Sequence, residues 1–182
     1  FSGVLYFYDH FGGNSHILSE YEGGYGTYSL MGGVVAVSNS PLTANTGASG
    51  TKVPKRFIPV AQGFFIKSMN DPALTSNNPG LSPITGGVIN FNNSQRVFCT
   101  EASGNSLFFR TDNPILIDEK DSREKIRLQF ISPSGINRQL LVGTDVNASS
   151  NFDLGFDAPM IDVKNEDMYW NLAGNKLIIQ GL

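Results

Sequence analysis

The side chains whose spacing best suits chemistry lie in one loop that follows an apolar, strand-like segment. Oxygen-bearing residues occupy every second position there, and a further aspartate follows: Asp145, Asn147, Ser149, Asn151, Asp153 and Asp157. Calcium takes oxygen ligands from carboxylates, amides and carbonyls, so Asp145, Asn147, Asn151, Asp153 and Asp157 are candidate ligands of a structural calcium ion. The same side chains can instead accept hydrogen bonds from the backbone of their own loop and order it without an ion.

Two histidines near the start of the chain, His10 and His16, flank a Gly-Gly turn. With Asp9 they could contribute ligands to zinc, but no fourth ligand stands at a motif-like spacing. We therefore expect them to be ordinary loop histidines.

Candidates for catalysis are few. No serine lies in a Gly-x-Ser-x-Gly elbow, and Cys99, the single cysteine, sits in an apolar strand-like context that predicts a small buried hydrophobe. Glycosidase chemistry needs only two carboxylates, whose pairing a sequence does not reveal; the acids considered are Glu20, Glu22, Glu101, Asp112 and Asp153. The Gly-Gly pairs at 12–13, 23–24 and 32–33 do not join a strand to a helix, so we predict turns rather than phosphate loops. We predict no catalytic residue and no enzyme.

Aromatic residues are dense in the first 28 positions. Tyrosine and phenylalanine commonly pack in cores and on sheet faces, but exposed rings flanked by polar groups can also stack on sugars. The residues concerned are Phe1, Tyr6, Phe7, Tyr8, Phe11, Tyr21, Tyr25 and Tyr28.

Composition narrows the class of protein. Only 16% of the residues are charged, 40% are apolar and the formal net charge is −3, so no basic surface is predicted for nucleic acid. No apolar run is long enough to cross a membrane, so no membrane insertion is expected, and one cysteine excludes an internal disulfide. The one dense charge cluster, at 118–125, has mixed signs and is typical of a solvated loop, or less often of a docking patch.

Strand-like runs bounded by Gly, Asn, Pro and Ser dominate the chain, and sustained helical periodicity is lacking. The predicted strands are Val4–Tyr8, Gly26–Leu30, Gly33–Ser38, Gly63–Lys67, Gly87–Phe91, Arg96–Cys99, Ser106–Arg110, Lys125–Ile131, Arg138–Thr144, Met160–Val163 and Lys176–Gln180. Polar segments at 40–53 and 69–85 are predicted as long loops. The pattern predicts an all-β protein, an antiparallel β-sandwich of which the jelly roll is one form, with residues 1–182 as a single module. The strand-like ends predict that the chain is a fragment of a longer polypeptide.

The clearest hairpin runs from Lys125 to Thr144 around a Pro-Ser-Gly turn. Its alternating residues predict one face in the core and one in water. The predicted core comprises Phe64, Ile66, Val88, Phe91, Leu128, Phe130, Leu140, Val142 and Ile178.

An ordered series of segments resembles the region upstream of the C-terminal sorting domain in proteins that Bacteroidetes export by the type IX secretion system. The series covers about residues 53–182 and comprises Pro59–Lys67, which is similar to an I-P-x-x-Q-G-F-F-V-K element, Gly87–Val97, Leu107–Arg110, the Arg127–Gly143 hairpin, Asn151–Ala158 and Tyr169–Leu182. The resemblance implies an extracellular or outer-membrane cell-surface location. It transfers no catalytic residue.

Together these features predict a non-catalytic structural or adhesive module of an exported bacterial cell-surface protein. The alternative is a carbohydrate-binding module of a secreted multidomain enzyme. The expected partners are glycans, other surface proteins or neighbouring domains of the same polypeptide.

Overall fold

The computed structural model describes residues 1–12, 17, 22–37, 50–68, 89–100, 103–109 and 121–182. Within these ranges the chain forms strands and one 3-10 turn, at Asn93–Gln95, and no α-helix. The strands are β1 Leu5–Gly12, β2 Glu22–Ser29, β3 Gly32–Val34, β4 Phe65–Ile66, β5 Lys125–Ile131, β6 Asn137–Gly143, β7 Ala158–Pro159, β8 Trp170–Leu172 and β9 Asn175–Gly181. None of the described residues forms a helix that is long and apolar enough to span a membrane.

The first sheet has the strand order β3-β2-β1-β4 and is antiparallel. β1 and β2 pair from Leu5–Tyr28 to Gly12–Glu22, with an irregularity after His10. Successive side chains of a strand point to opposite faces, so Tyr6 and Phe7 enter two different apolar clusters, one on each side of this sheet.

Two glycine pairs predicted as turns instead let other segments approach the first sheet. Gly23 and Gly24 lie within β2, and Gly32 and Gly33 begin β3. A Cβ on Gly24 would stand 1.9 Å from the carbonyl oxygen of Val37, and one on Gly33 would stand 2.2 Å from that of Pro54. The turn prediction was wrong for Gly23 and Gly24, because glycine also serves where two backbones come close, whereas Gly32 directly follows the turn at Leu30 and Met31.

The second sheet has the order β5-β6-β9-β7, and β8 also pairs with β9. Most pairs are antiparallel, but β6 and β9 run parallel, with Leu141 beside Ile179. β8, which the sequence patterns missed, joins β9 through Ala173 and Gly174, whose φ values of 49° and 85° suit a tight hairpin turn.

The two sheets enclose the main core, which confirms the all-β sandwich. Val4, Tyr6, Met31 and Val34 come from the first half of the chain and pack with residues of the second sheet: Leu140, Leu141, Ala158, Met160, Ile178 and Ile179. The Tyr6 hydroxyl also donates a hydrogen bond across the core to the carbonyl of Pro159, at 2.9 Å. The first sheet uses β1–β4 and the second β5–β9, so the described strands do not alternate between sheets as the jelly-roll form requires.

A second, smaller cluster covers the outer face of the first sheet. Phe7 stacks on Phe109 with ring centroids 5.2 Å apart, and Leu107 completes the buried set. The covering segments are tied together by a parallel bridge between Phe57 and Ser106. The first sheet is therefore packed on both faces, which explains why β1 carries large apolar side chains at successive positions.

The predicted hairpin is confirmed as β5 and β6, but the predicted inner face of β5 is wrong. Ile126 and Leu128 are 60% and 39% exposed. Arg127 and Gln129 on the other face are exposed as well, although the Arg127 guanidinium donates to the carbonyl oxygen of Gly33 in the first sheet at 2.8 Å. Alternation shows that a strand has two faces; it does not show which of them meets the other sheet.

The remaining predictions of strands and core residues are confirmed in part. Four predicted strands correspond to β1, β2, β3 and β9, and Gly63–Lys67 contains the short β4. The described parts of Gly87–Phe91, Arg96–Cys99, Ser106–Arg110 and Met160–Val163 form no strand. Of the predicted core, Leu140 and Ile178 are buried, Phe64, Phe130 and Val142 are half-buried, Ile66, Phe91 and Leu128 are exposed, and Val88 lies outside the described residues.

Candidate functional site

Each carboxylate of the loop 145–157, called the clasp loop from here on, accepts hydrogen bonds within the protein. Asp145 accepts from the backbone of Asn147 at 2.9 Å and from Arg123 at 2.8 Å. Asp153 accepts from the backbone and hydroxyl of Ser149, at 2.5 and 2.9 Å. The bonds from the backbone of Asn147 and Ser149 form side-chain to backbone turns of the kind that order a loop locally, and Arg123 adds a contact from outside the loop.

The clasp loop also binds both sheets. Gly155 donates to the carbonyl of Ser2 at 2.9 Å and accepts from the backbone of Leu30 at 2.7 Å, on the side of the first sheet. Asp145 donates its N–H to the carbonyl of Leu182 at 2.9 Å, beyond the end of β9. Gly155 has a φ of +86°, which glycine adopts without strain. The loop therefore acts as a clasp between the two layers.

Asp157 is the buried end of this loop. It accepts from the N–H groups of Asp153 at 2.8 Å and of Gly181 at 2.9 Å. Burial raises the pKa of the Asp157 carboxyl, against the lowering effect of these two donors. The pKa of Asp145 is lowered, first by the N–H of Asn147 and then by Arg123. The pKa values of these two carboxylates in the same loop are therefore shifted in opposite directions.

The calcium prediction stays a prediction. Among the described residues, no three His, Cys, Asp or Glu side chains come together in a group that could hold a metal ion. Asn147 donates its side-chain amide to Asp145 at 3.1 Å, and the backbone of Asn151 donates to Ser149 at 3.2 Å. Hydrogen bonds within the loop account for its order.

A buried charge cluster that the sequence patterns did not indicate lies beside β6. Arg138, fully buried, donates to both oxygens of Asp167 at 2.8 and 2.7 Å and to Asp162 at 3.1 Å. Burial alone would lower the pKa of Arg138, but these two carboxylates raise it. We call these three residues the Arg138 cluster. Arg138 occupies a strand position that alternation assigns to an apolar face, so local pattern gave no signal of its partners.

The dense aromatics separate into buried and exposed sets. Tyr6 and Phe7 are buried in the two clusters described above, whereas Phe1 is exposed. Tyr8, Tyr25 and Phe65 form what we call the aromatic edge, with Tyr8–Tyr25 centroids 5.6 Å apart and Tyr25–Phe65 centroids 5.4 Å apart. Phe65 is 55% exposed and Tyr8 36%. The side chains of Phe11 and Tyr21 lie outside the described residues.

A cleft of about 430 Å³ continues from the aromatic edge at Tyr8. The side chain of Gln62 is fixed there, because its carbonyl oxygen accepts the N–H of Phe109 at 2.9 Å. The cleft therefore combines aromatic surface with polar groups; its lining is Tyr8, His10, Lys52, Ala61, Gln62, Phe108 and Phe109.

The other residues that the sequence suggested for metal binding or catalysis do not come together in one site among the described residues. Asp9 is buried and forms an ion pair with Lys52 at 3.0 Å, while His10 is exposed at the cleft and His16 lies outside the described residues. Cys99 is half-buried and lies in no strand, with its sulfur 3.2 Å from the Ser103 hydroxyl, so the prediction of a buried strand residue was wrong. Of the acids considered for hydrolysis, Glu20, Glu101 and Asp112 fall outside the described residues, as does the side chain of Glu22.

Comparison with known proteins assigns the chain to a family. A family model described as a domain of unknown function, DUF8693, matches residues 1–182. No curated protein and no solved structure matches the chain. The comparisons therefore supply a family and no activity.

Proposed function

We propose, for a chain that belongs to the DUF8693 family, a non-catalytic role as a structural or adhesive module of an exported bacterial cell-surface protein. The observation that carries the proposal is the clasp loop. Its polar side chains were the strongest candidates for metal binding in the sequence. The carboxylates of Asp145, Asp153 and Asp157 all accept hydrogen bonds that stabilise the fold.

The Arg138 cluster supports the same proposal. Its two aspartates are both engaged by one buried guanidinium. A buried pair of this kind disfavours partial opening, because separating its members leaves an unpaired charge inside the protein. Such constraint suits a module that must keep its shape outside the cell.

The proposed location rests on the resemblance to type IX cargo, and it can be tested directly. The polypeptide that carries this chain, with an epitope tag, should be expressed in a Bacteroidetes host. Protease added to intact cells is expected to remove the tag in the parent strain and to leave it intact in a strain without the type IX machinery. A tag that is equally protected in both strains would contradict export by this route.

The absence of catalysis is tested separately. A turnover screen of the purified chain against polysaccharides, glycosides and peptides is expected to give no product above a heat-denatured sample. Product formation that depends on folded protein would overturn the non-catalytic role while leaving the location untouched.

One observation favours the second candidate, a carbohydrate-binding module. The aromatic edge exposes rings of Tyr8 and Phe65 next to the polar groups of the cleft. Exposed rings supply contact area, and hydroxyl or amide groups orient a ligand. Sugars have apolar ring faces and hydroxyls, which match this combination.

A matched pair of variants tests glycan binding. Phe65→Ala removes an exposed ring of the aromatic edge, and Phe98→Ala removes a ring that is 93% exposed and not part of that edge. On a glycan array, binding that Phe65→Ala reduces at least about tenfold and Phe98→Ala leaves unchanged supports the module. Tenfold corresponds to about 1.4 kcal/mol, within the range for losing an aromatic contact. Equal losses, or no binding by the parent chain, would contradict it.

A further inference from the structure

Lys52 and Asp9 form a buried amine–carboxylate pair on the outer face of the first sheet. Asp9 belongs to β1, and Lys52, 43 residues later, belongs to a segment that covers it. The Lys52 Nζ lies 3.0 Å from Asp9 Oδ1 and 2.7 Å from the carbonyl oxygen of Phe109. The two side chains are 10% and 2% exposed, beside the stacked rings of Phe7 and Phe109. The amine of Lys52 and the carboxyl group of Asp9 are thus in contact and largely shielded from water.

Burial of this pair favours the protonated form of the Asp9 carboxyl. Removing a carboxylate and an ammonium from water is costly, and a proton shift along their hydrogen bond abolishes both charges. Burial raises the pKa of Asp9, while the hydrogen bonds and charge of Lys52 and the charge of His10 oppose the rise. A protonated carboxyl beside a neutral amine is the pair that can condense.

We propose that Lys52 and Asp9 form an intramolecular isopeptide bond. The ammonium passes one proton to the Asp9 carboxylate, and the neutral Nζ then adds to the carboxyl carbon. The backbone N–H of Lys52, which lowers the pKa of Asp9, would favour the carboxyl oxygen that gains charge. The C–O bond breaks, the hydroxyl leaves with one proton from the nitrogen as water, and an amide remains. No oxidant, reductant or metal takes part.

Other described ion pairs lack one requirement or another. Arg138 cannot supply a neutral nitrogen, because its guanidinium keeps its proton. Lys125 has an amine, but its partner Asp121 is partly exposed. Contacts with Arg123 and Lys125 hold the pKa of that carboxyl low, in the ionised form that does not condense. Lys125–Asp121 is therefore a natural internal control for Lys52–Asp9.

The bond would link β1 covalently to the segment at 50–54 and close a loop across the outer face of the first sheet. A link of this kind restricts the unfolded chain and so stabilises the fold, as a disulfide does. The inference rests on the geometry of the pair and is independent of the proposed surface role.

Intact-mass spectrometry of the folded full chain tests the proposal. After incubation at neutral pH the parent chain is expected to be lighter than its sequence mass by one water, and proteolysis should release a branched peptide joining Lys52 to Asp9. Lys52→Arg keeps the positive charge but cannot form the amide, and it should show the full mass. Lys125→Arg should still show the loss of water.

Two results would overturn the bond. One is the full sequence mass in a parent sample that circular dichroism shows to be folded. The other is loss of water that persists in folded Lys52→Arg, because a cyclised aspartate elsewhere would then be its source. Retained β structure in Lys52→Arg excludes unfolding as the reason for its full mass.

Discussion

The clasp loop and the aromatic edge use their side chains in opposite ways. In the clasp loop, Asp153 and Asp157 accept hydrogen bonds from nearby backbone groups and Ser149, and Asp157 is completely buried. At the aromatic edge, Phe65 exposes more than half of its surface although it belongs to a strand. Polar groups inside the fold and apolar groups outside it both depart from the usual distribution. The first departure is explained by hydrogen bonding, whereas the second leaves surface that a partner could cover.

The contrast between these two regions predicts that changes in the polar interior reduce stability, while changes at the aromatic edge reduce the proposed glycan binding. The effects should decrease from the Arg138 cluster through the clasp loop to the surface ion pairs.

The largest loss of stability is expected from Arg138→Met. Asp162 and Asp167 would remain buried without the cation that both of them contact. Breaking a buried pair in this way costs about 3–5 kcal/mol. Urea denaturation measures the loss, and Arg123→Met serves as the control because Arg123 is more exposed and surface pairs contribute below about 1 kcal/mol. If both variants lose the same stability in urea denaturation, the burial of Arg138 does not make its ion pairs more important than those of Arg123.

Asp157→Ala should have the next largest effect. It leaves the N–H groups of Asp153 and Gly181 without their acceptor in a buried position. Each unsatisfied buried donor costs about 1–3 kcal/mol. Asp157→Asn retains one acceptor oxygen and should fall between the parent and the alanine variant in chemical denaturation. If the alanine variant is as stable as the parent, the hydrogen bonds of Asp157 in the clasp loop do not stabilise the fold.

A smaller, pH-dependent effect is expected at Asp121. Arg123 and Lys125 lower the pKa of its carboxyl below the ordinary value of 3.8. The folded state therefore binds this proton less readily than the unfolded state, so the pair stabilises the protein above pH 3.8. That stabilisation is lost as the pH falls through the folded-state pKa. Asp121→Asn should be less stable than the parent at pH 6, by below about 1 kcal/mol because the group is partly exposed.

The difference between Asp121→Asn and the parent should shrink when melting is followed down to pH 2. A constant difference over that range would show that the contribution of Asp121 is not ionic. Asp157 has the opposite sign: its raised pKa favours the folded state at low pH and opposes it as the carboxyl ionises.

Calcium should have the smallest effect. Because the carboxylates of the clasp loop are already hydrogen-bonded, calcium added to a chelator-treated sample is expected to leave the melting temperature unchanged. A ligand that binds only the folded state would raise that temperature as its concentration rises. If calcium raises the melting temperature of the parent and Asp153→Asn abolishes that rise, the clasp loop binds calcium.

The sequence by itself determined the class of fold and much of its local structure. Strand-like runs predicted an all-β protein, and the turn residues at 133–135 predicted the β5–β6 hairpin, where Gly135 has the positive φ of 87° that such a turn needs. The alternating oxygens of the clasp loop predicted side-chain bonds to its own backbone, and Asp145 and Asp153 make them. These features follow from interactions between residues that are close along the chain.

Only the tertiary structure decided which faces are buried and which distant groups meet. Ile126 and Leu128 have the alternation of a core face, yet both are exposed, and the contact with the first sheet is made by the guanidinium of Arg127. The partner of Asp9 is 43 residues away, and those of Arg138 are 24 and 29 residues away. The periodicity of a strand is fixed by its own backbone. Which of its faces is buried depends on the packing of the two layers, and that packing arises from contacts between residues far apart in the chain.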